Sequence, residues 1–314
     1  MEAFLNAGST MVVLFIVISL GFIARRLKIV DDAFDTVLSK VIMTITCPAM
    51  VLHAVLSNAN LPDNSVILQV MLVSVVTFIP IFVIGLALSR IYRVQKNMRG
   101  VHAFAVSFGN TGFIGFAVCG AILGNDAVLY ASIYNIAFNL FVFSVGAWMM
   151  SSTGTAELSR HEKLVYMRKN LLSPMMVACV LVFTLALLHV TDFGIIGKTC
   201  ELLGSMTAPA SMLVIGSTLA RYQIKSMISN GWVYVTALGR LIVAPAVVFF
   251  LGGLMLSDTH LLATLTLMSA MPVAALGTVM CLTYGGDLKT MSQCTFLTTI
   301  LSIVTIPLVT VFIM

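Results

Sequence analysis

The chain has 314 residues, of which 60% are hydrophobic and only 9% are charged, and its formal net charge is +5. Soluble domains carry about 25% charged residues, so this composition excludes a soluble fold and predicts an all-α polytopic membrane protein. The basic excess does not indicate a nucleic-acid partner, because membrane proteins concentrate Lys and Arg in cytoplasmic loops.

Apolar segments about 20 residues long predict ten transmembrane spans in the lipid bilayer. They cover residues 8–25, 34–57, 65–90, 101–123, 127–150, 170–191, 200–220, 228–254, 260–283 and 290–313. A polar segment at 151–169 is the predicted cytoplasmic linker between a first five-helix repeat (1–150) and a second one (170–314). The acidic Glu2 before the first apolar run, and Arg25 and Arg26 behind it, favour a retained span over a cleaved signal peptide.

Most basic residues follow odd-numbered spans. They are Arg25, Arg26, Lys28, Arg90, Arg93, Lys96, Arg99, Arg160, Lys163, Arg168, Lys169, Arg221, Lys225 and Lys289. The positive-inside rule places these loops in the cytoplasm and therefore both termini outside. We expect a multi-pass protein of the plasma membrane, which in a bacterium is the inner membrane.

The two halves of the chain carry similar interruptions at a nearly constant separation. Pro48 of span 2 corresponds to Pro209 of span 7, and Pro80 of span 3 corresponds to Pro245 of span 8. Five spans per half is an odd number, so the second half is inverted relative to the first. Interrupted spans at matching positions of such a repeat are typical of transporter binding sites.

Spans 4 and 9 carry the strongest interruptions, between Ser107 and Gly115 and around Met271 and Pro272. Each glycine costs a helix about 1 kcal/mol relative to alanine, and irregular backbone at membrane depth requires surrounding protein or a wet cavity. We predict two broken helices that cross near the midplane, where the unpaired N–H groups of their second halves form an anion site.

The predicted substrate-binding residues at this crossing are Ser107, Asn110, Thr111, Gly112, Met271, Pro272 and Val273, and Ala274 would add a further N–H group. Residues predicted to break or shape the helices are Pro48, Gly109, Gly115, Pro209, Pro245 and Gly277. The alternative is that the glycines of span 4 are there for close helix packing.

Three further polar residues lie within predicted spans. Asn135 and Asn139 are one turn apart on span 5, and they either line the same cavity or hydrogen-bond neighbouring helices. Arg240 lies near the middle of span 8, where it either attracts an anion or pairs with a carbonyl left free near Pro245. Because all 12 acidic residues fall in loops or at span ends, the pattern disfavours a carboxylate-based cation pump and favours an anion carrier.

The sequence gives no indication of an enzyme. The HExxH, GxSxG and GxxxxGK[ST] motifs are all missing, and no long hydrophilic segment could hold a catalytic domain. The six cysteines include no CxxC pair, so we predict that they are buried apolar residues rather than metal ligands. We expect no catalytic residues, no metal and no cofactor.

Three motifs resemble the auxin efflux carrier family, which includes plant PIN exporters and bacterial malonate and malate permeases. They are Asn110-Thr111-Gly112-Phe113-Ile114-Gly115, Cys47-Pro48-Ala49 and Met271-Pro272. The resemblance implies a scaffold of spans 1, 2, 6 and 7 that forms a homodimer, and a transport part of spans 3–5 and 8–10 that slides like an elevator. It implies anion binding at the crossing of spans 4 and 9, with Asn110 and either Asn139 or Asn135 in the site. Gly109 departs from the plant members, which have proline there.

The sequence thus predicts a secondary transporter of small organic anions, such as the mono- or dicarboxylates malonate or malate. Two alternatives stay open. One is a sodium-coupled organic anion symporter like the bile acid:sodium family, and the other is a non-transporting membrane sensor or a channel.

Overall fold

The computed structural model describes residues 2–56, 61–91, 94–155, 159–191, 194–221 and 227–313. These residues form helices and connections without a β-sheet. The helices are α1 (Glu2–Arg26), α2 (Asp32–Leu56), α3 (Asn64–Ile91), α4 (Arg99–Ser107), α5 (Thr111–Leu123), α6 (Asn125–Ser151), α7 (Arg160–Leu171), α8 (Pro174–Leu187), α9 (Ile195–Ala220), α10 (Gly231–Gly253), α11 (Thr259–Ser269), α12 (Leu276–Tyr284) and α13 (Leu288–Ile313). Predicted features at residue 57, Arg93 and Lys225, and part of the linker at 156–158, lie outside the described residues.

The helices confirm a polytopic membrane protein. Within the described ranges, α2, α3, α6, α9, α10 and α13 are long and apolar enough to cross a bilayer, while α5 and α8 are shorter apolar helices. Span 4 corresponds to α4 and α5, and span 9 to α11 and α12. The polar linker contains the helix α7. The count of ten crossings and the inverted repeat stay predictions.

The three prolines predicted to interrupt helices do not break them. The helix α2 continues through Pro48, α9 through Pro209 and α10 through Pro245. In α2 and α10 a single π-helical turn, at Ile42–Thr46 and Gly239–Val243, lies just before the proline. A proline ring clashes with the carbonyl group one turn earlier, and the wider turn accommodates it while the helix continues.

The helices α1 and α9 cross with direct backbone contact. A Cβ atom added at Gly216 would lie 1.9 Å from the Ile18 carbonyl oxygen, and one added at Gly21 would lie 2.3 Å from the Leu213 carbonyl oxygen. Glycine permits such an approach between membrane helices because it has no side chain. This crossing therefore depends on glycine at both positions.

An ion-pair cluster joins the C-terminal ends of α1 and α9. Arg221 Nε lies 3.1 Å from Asp32 Oδ1, and Arg25 Nη1 lies 3.4 Å from Asp35 Oδ2. Because the ends of both helices contact the start of α2, α1 and α9 run in the same direction. Arg25 and Arg221, at the ends of α1 and α9, thus lie on one face of the protein.

Two further contacts join loops that are distant in sequence. Thr155 N–H, after α6, donates a 3.0 Å hydrogen bond to the Gly285 carbonyl oxygen, after α12. His260 Nε2, at the start of α11, lies 3.2 Å from the Leu123 carbonyl oxygen at the end of α5.

An aromatic cluster lies behind the interruption of span 4. Phe108, the first residue after α4, is completely buried. Its ring centroid lies 4.9 Å from that of Phe104, 5.4 Å from that of Phe82 and 5.8 Å from that of Phe138. Such ring pairs add about 0.5–1.5 kcal/mol each beyond their burial, so the cluster anchors the non-helical backbone between α3, α4 and α6.

Candidate functional site

Both predicted helix interruptions are present. The helix α4 ends at Ser107 and α5 begins at Thr111, while α11 ends at Ser269 and α12 begins at Leu276. The first break is shorter than predicted, because Gly112 and the residues after it already belong to the π-helical first turn of α5.

The two breaks cross and pair with each other through their backbones. Asn110 N–H donates a 2.7 Å hydrogen bond to the Pro272 carbonyl oxygen, and Ala274 N–H donates a 3.0 Å hydrogen bond to the Phe108 carbonyl oxygen. Together they form an antiparallel β-bridge centred on Gly109. The crossing is therefore a structural joint that satisfies backbone groups of both chain segments without water.

This pairing corrects the predicted N–H donors. The N–H groups of Asn110 and Ala274 are used in the bridge, that of Thr111 donates to a carbonyl within the break, and that of Val273 donates to a threonine hydroxyl of α13. Pro272 has no N–H group. The prediction that these groups are open to a ligand is wrong, because pairing with other segments and one bond within the break satisfy them.

Three N–H groups are open at the starts of α5 and α12, and that of Gly112 is one of the predicted donors. Those of Gly112, Ala275 and Leu276 donate no hydrogen bond to any described residue. The first N–H groups of a helix lack partners within the helix and form its positive end. All three residues line the same cavity.

The cavity has a volume of about 420 Å³ and lies beside the crossing. It is lined by residues of α2, α8 and α9 and by residues of α5, α6, α12 and α13. Its described lining contains no charged residue and these polar ones: Ser39, Asn110, Thr111, Asn135, Asn139, Ser173, Thr218, Thr295 and Thr299. The volume falls in the range of about 300–1,000 Å³ that is usual for small-molecule sites.

The cavity includes some of the predicted binding residues and leaves out others. Asn110, Thr111, Gly112, Asn135 and Asn139 all line it. Ser107, Met271, Pro272 and Val273 do not, since they are fully buried within the crossing itself. Span 9 lines the cavity with the next residues instead, Ala274, Ala275, Leu276 and Val279.

Asn110 caps the start of α5 with one end of its amide group. Its Oδ1 atom accepts a 3.3 Å hydrogen bond from Phe113 N–H. Its Nδ2 group donates no hydrogen bond to a described residue. Because Asn110 also lines the cavity, this amide is a donor available to a ligand.

The two asparagines of span 5 both line the cavity and both make hydrogen bonds. Asn135 Oδ1 accepts a 3.0 Å hydrogen bond from Thr111 Oγ1, and Asn135 Nδ2 donates one of 3.5 Å to Cys179 Sγ. Asn139 Nδ2 donates a 2.7 Å hydrogen bond to the Asn135 carbonyl oxygen. Asn135 is thus a buried link between α5, α6 and α8, whereas the Oδ1 atom of Asn139 has no bond to a described residue.

Arg240 pairs with backbone carbonyl groups, but not with those near Pro245 that were predicted, and its attraction of an anion stays a prediction. Its guanidinium donates 3.0 Å hydrogen bonds to the carbonyl oxygens of Val106 and Ser107 and a further bond to that of Ser269. These carbonyls are the C-terminal ends of α4 and α11, not groups near Pro245. Arg240 is 1% exposed and does not line the cavity. Its charge lies at the negative ends of two helices, and no described carboxylate pairs with it.

Close packing explains most of the glycines near the crossing. A Cβ atom at Gly109 would lie 3.0 Å from the Met271 carbonyl oxygen and 3.3 Å from Arg240 Cζ. Cβ atoms at Gly115 and Gly277 would lie 2.9 and 2.7 Å from methionine sulfur atoms. At Gly112 the nearest atom would be 3.5 Å away, an ordinary contact. At Gly109 the close atom belongs to the backbone, so glycine is needed there for packing, whereas Gly112 is not needed for packing.

Comparison with known proteins agrees with this architecture. A family model described as membrane transport protein matches residues 7–310. An uncharacterized transporter of Methanocaldococcus jannaschii is 23% identical over 304 residues, covering 94% of this chain and 95% of the relative. An uncharacterized transporter of Methanothermobacter thermautotrophicus is 23% identical over 312 residues, covering 97% and 98%. The chain belongs to the membrane transport protein family, which is the auxin efflux carrier family that its sequence motifs resemble.

Proposed function

We propose that this membrane transporter is a secondary carrier of small organic anions, such as malonate or malate, and that it binds them in the cavity beside the helix crossing. One observation carries the proposal. The open N–H groups of Gly112, Ala275 and Leu276 belong to two different half-helices and line one cavity. Two convergent positive helix ends are a general form of anion-binding site.

The charges around the cavity support an anion over a cation. Arg240 lies directly behind Gly109, which lines the cavity, and its positive charge is bound only by neutral carbonyl oxygens among the described residues. The described lining has no Asp or Glu to offset that charge. In a region of low dielectric constant, an uncompensated cation attracts an anion far more strongly than in water.

The position of the cavity is compatible with elevator-type transport. Its two walls come from the helices of the proposed dimeric scaffold and from those of the proposed transport part. A slide of the transport part along the scaffold would carry the anion together with the N–H groups of Gly112, Ala275 and Leu276. The homodimer, the inverted repeat and the external location of both termini belong to this proposal.

Access to the cavity in this conformation is proposed from the cytoplasmic side. Ser39, Ser173 and Thr218 line the cavity, and each is close in sequence to a loop with basic residues. By the positive-inside rule those loops are cytoplasmic. The structure would then represent an inward-facing state.

Counterflow of radiolabelled malonate and malate in proteoliposomes tests the proposal. We expect saturable counterflow that Asn110→Ala reduces at least tenfold, because the variant loses a cavity-lining donor. Ser107→Ala is the matched control, since Ser107 was a sequence candidate that lies outside the cavity, and it should transport normally. Equal uptake by wild type, Asn110→Ala and empty vesicles would contradict the proposal.

The same assay separates the two alternatives. Replacing Na⁺ by K⁺ should leave counterflow unchanged in a simple anion carrier and abolish it in a sodium-coupled symporter. A channel would show flux that does not saturate and no counterflow, and a sensor would bind the anion without moving it.

A further inference from the structure

A second cavity opens on the outer surface of the helix bundle, between α1, α9 and α13. It has a volume of about 280 Å³. Its walls are predominantly apolar and include Ile18, Phe22, Ile23, Leu219, Ile300 and Ile303. Ile23 and Ile300 are 50% and 37% exposed. This lateral groove is therefore accessible from the hydrocarbon region that surrounds the helices.

One cation lies at the end of the lateral groove. Arg26 is the last residue of α1, lines the groove, and is exposed. Its guanidinium lies 5.3 Å from the centroid of the Phe22 ring, a cation–π contact that orients the side chain. The charged end of the groove thus lies at the level of the basic loops, where membrane headgroups are found.

Arg26 has no acidic partner among the described residues, in contrast to its neighbour. Arg25 contacts both Asp32 and Asp35, and Arg221 contacts the same two carboxylates. The nearby acids are therefore committed to other cations. A guanidinium without a carboxylate partner has its fork of N–H donors available, and that fork matches a phosphate group.

We infer that the lateral groove is a binding site for an anionic phospholipid, with its acyl chain against the apolar wall and its phosphate on Arg26. The apolar wall and the Arg26 guanidinium follow each other along one groove, as the acyl chain and the phosphate follow each other along a phospholipid. Basic pockets between transmembrane helices recognise anionic headgroups in this way.

The lateral groove shares part of its wall with the cavity beside the helix crossing. Leu219 and Phe296 line both. An acyl chain in the groove would therefore contact the opposite side of the wall that encloses the transported anion. It would also lie between α13 and the pair α1 and α9, which are the elements expected to slide past each other.

The test measures lipid binding directly, so its outcome does not depend on transport. Purified protein in detergent is titrated with dioleoyl phosphatidylglycerol or dioleoyl phosphatidylcholine, and bound lipids are counted by native mass spectrometry while thermal unfolding is followed. For the wild type we expect a retained phosphatidylglycerol adduct and a higher unfolding temperature than with phosphatidylcholine. Arg26→Gln should lose most of that difference.

Two variants make the result specific. Lys28→Gln removes a neighbouring cation that does not line the groove, and it should behave as the wild type. Ile300→Trp should fill the groove and displace the lipid while Arg26 stays in place. The inference would be overturned if Arg26→Gln and Lys28→Gln lost the phosphatidylglycerol adduct equally, or if Ile300→Trp kept it unchanged. It would also be overturned if Arg26→Gln changed only the oligomeric state and not the bound lipid.

Discussion

The N–H group of Asn110 donates a 2.7 Å hydrogen bond to the carbonyl oxygen of Pro272. The two residues are far apart in the sequence, since they belong to predicted spans 4 and 9. This bond, with its partner from Ala274 to Phe108, joins two interrupted helices at the point where each is not helical. The proposed binding groups lie immediately beyond it. Three predictions test how this joint is held and what it does, and a fourth tests the contact between α1 and α9.

The sign of the charge in the cavity should decide whether an anion binds. Asn110→Asp keeps an oxygen that accepts from Phe113 N–H, and Asp caps helices as well as Asn does, so folding should be unaffected. Like charges about 4 Å apart repel by about 4 kcal/mol near a protein surface. We expect at least about a tenfold loss of malonate affinity, measured by thermal shift or calorimetry. Asn125→Asp, outside the cavity, should bind normally, and equal effects of the two variants would refute an anion site here.

Two glycines at the crossing should respond in opposite ways to alanine. In Gly109→Ala the new Cβ would be 3.0 Å from the Met271 carbonyl oxygen, and such overpacking costs about 1–3 kcal/mol. In Gly112→Ala the nearest atom is 3.5 Å away, and alanine gains up to about 1 kcal/mol over glycine within a helix. We expect Gly109→Ala to unfold at a lower temperature than the wild type and Gly112→Ala to unfold at the same or a higher one. The opposite order would show that the crossing does not depend on close approach at Gly109.

Arg240→Lys should weaken the joint although the charge is kept. Lysine cannot reproduce the fork of guanidinium donors, so at least one of the carbonyls of Val106, Ser107 and Ser269 would lose its partner. A buried polar group without a partner costs about 1–3 kcal/mol. Thermal unfolding in detergent should show the loss. The same substitution at the half-exposed Arg221 is the control, and a larger effect there would contradict the role given to Arg240.

The contact between α1 and α9 should be intolerant of any side chain at Gly216. Its Cβ would lie 1.9 Å from the Ile18 carbonyl oxygen, so the two helices would have to separate. We expect Gly216→Ala to reduce the yield of folded protein sharply, as judged by size-exclusion chromatography. At Gly231 nothing lies within 4 Å of an added Cβ, and Gly231→Ala should give a normal yield. A normal yield for both variants would show that the crossing adapts.

Local sequence patterns were sufficient to predict the positions of the interruptions. Glycines around Asn110 and a proline at residue 272 within apolar segments have few structural explanations in a membrane, because unpaired backbone groups are costly there. For Asn135 and Asn139 the sequence left two roles open, and the structure shows both of them, because the two residues line the cavity with Asn110 and also make hydrogen bonds.

Long-range pairing could not be predicted in the same way. Which N–H groups remain open depends on how the two breaks align with each other and with α13. The partners of Arg240 were missed for the same reason, since they belong to α4 and α11 rather than to its own helix. The proline positions alone also do not reveal that a π-helical turn lets α2 and α10 continue.

The hydrogen bonds of the β-bridge run in both directions, and Arg240 adds bonds to the helix end on each side. Moving one interrupted helix without the other would leave amide and carbonyl groups without hydrogen-bond partners in an environment that excludes water. The two must therefore travel as a single body during any conformational cycle. A disulfide engineered between α5 and α11, which pack against each other, should leave turnover intact, whereas one tying α5 to α9 should arrest it.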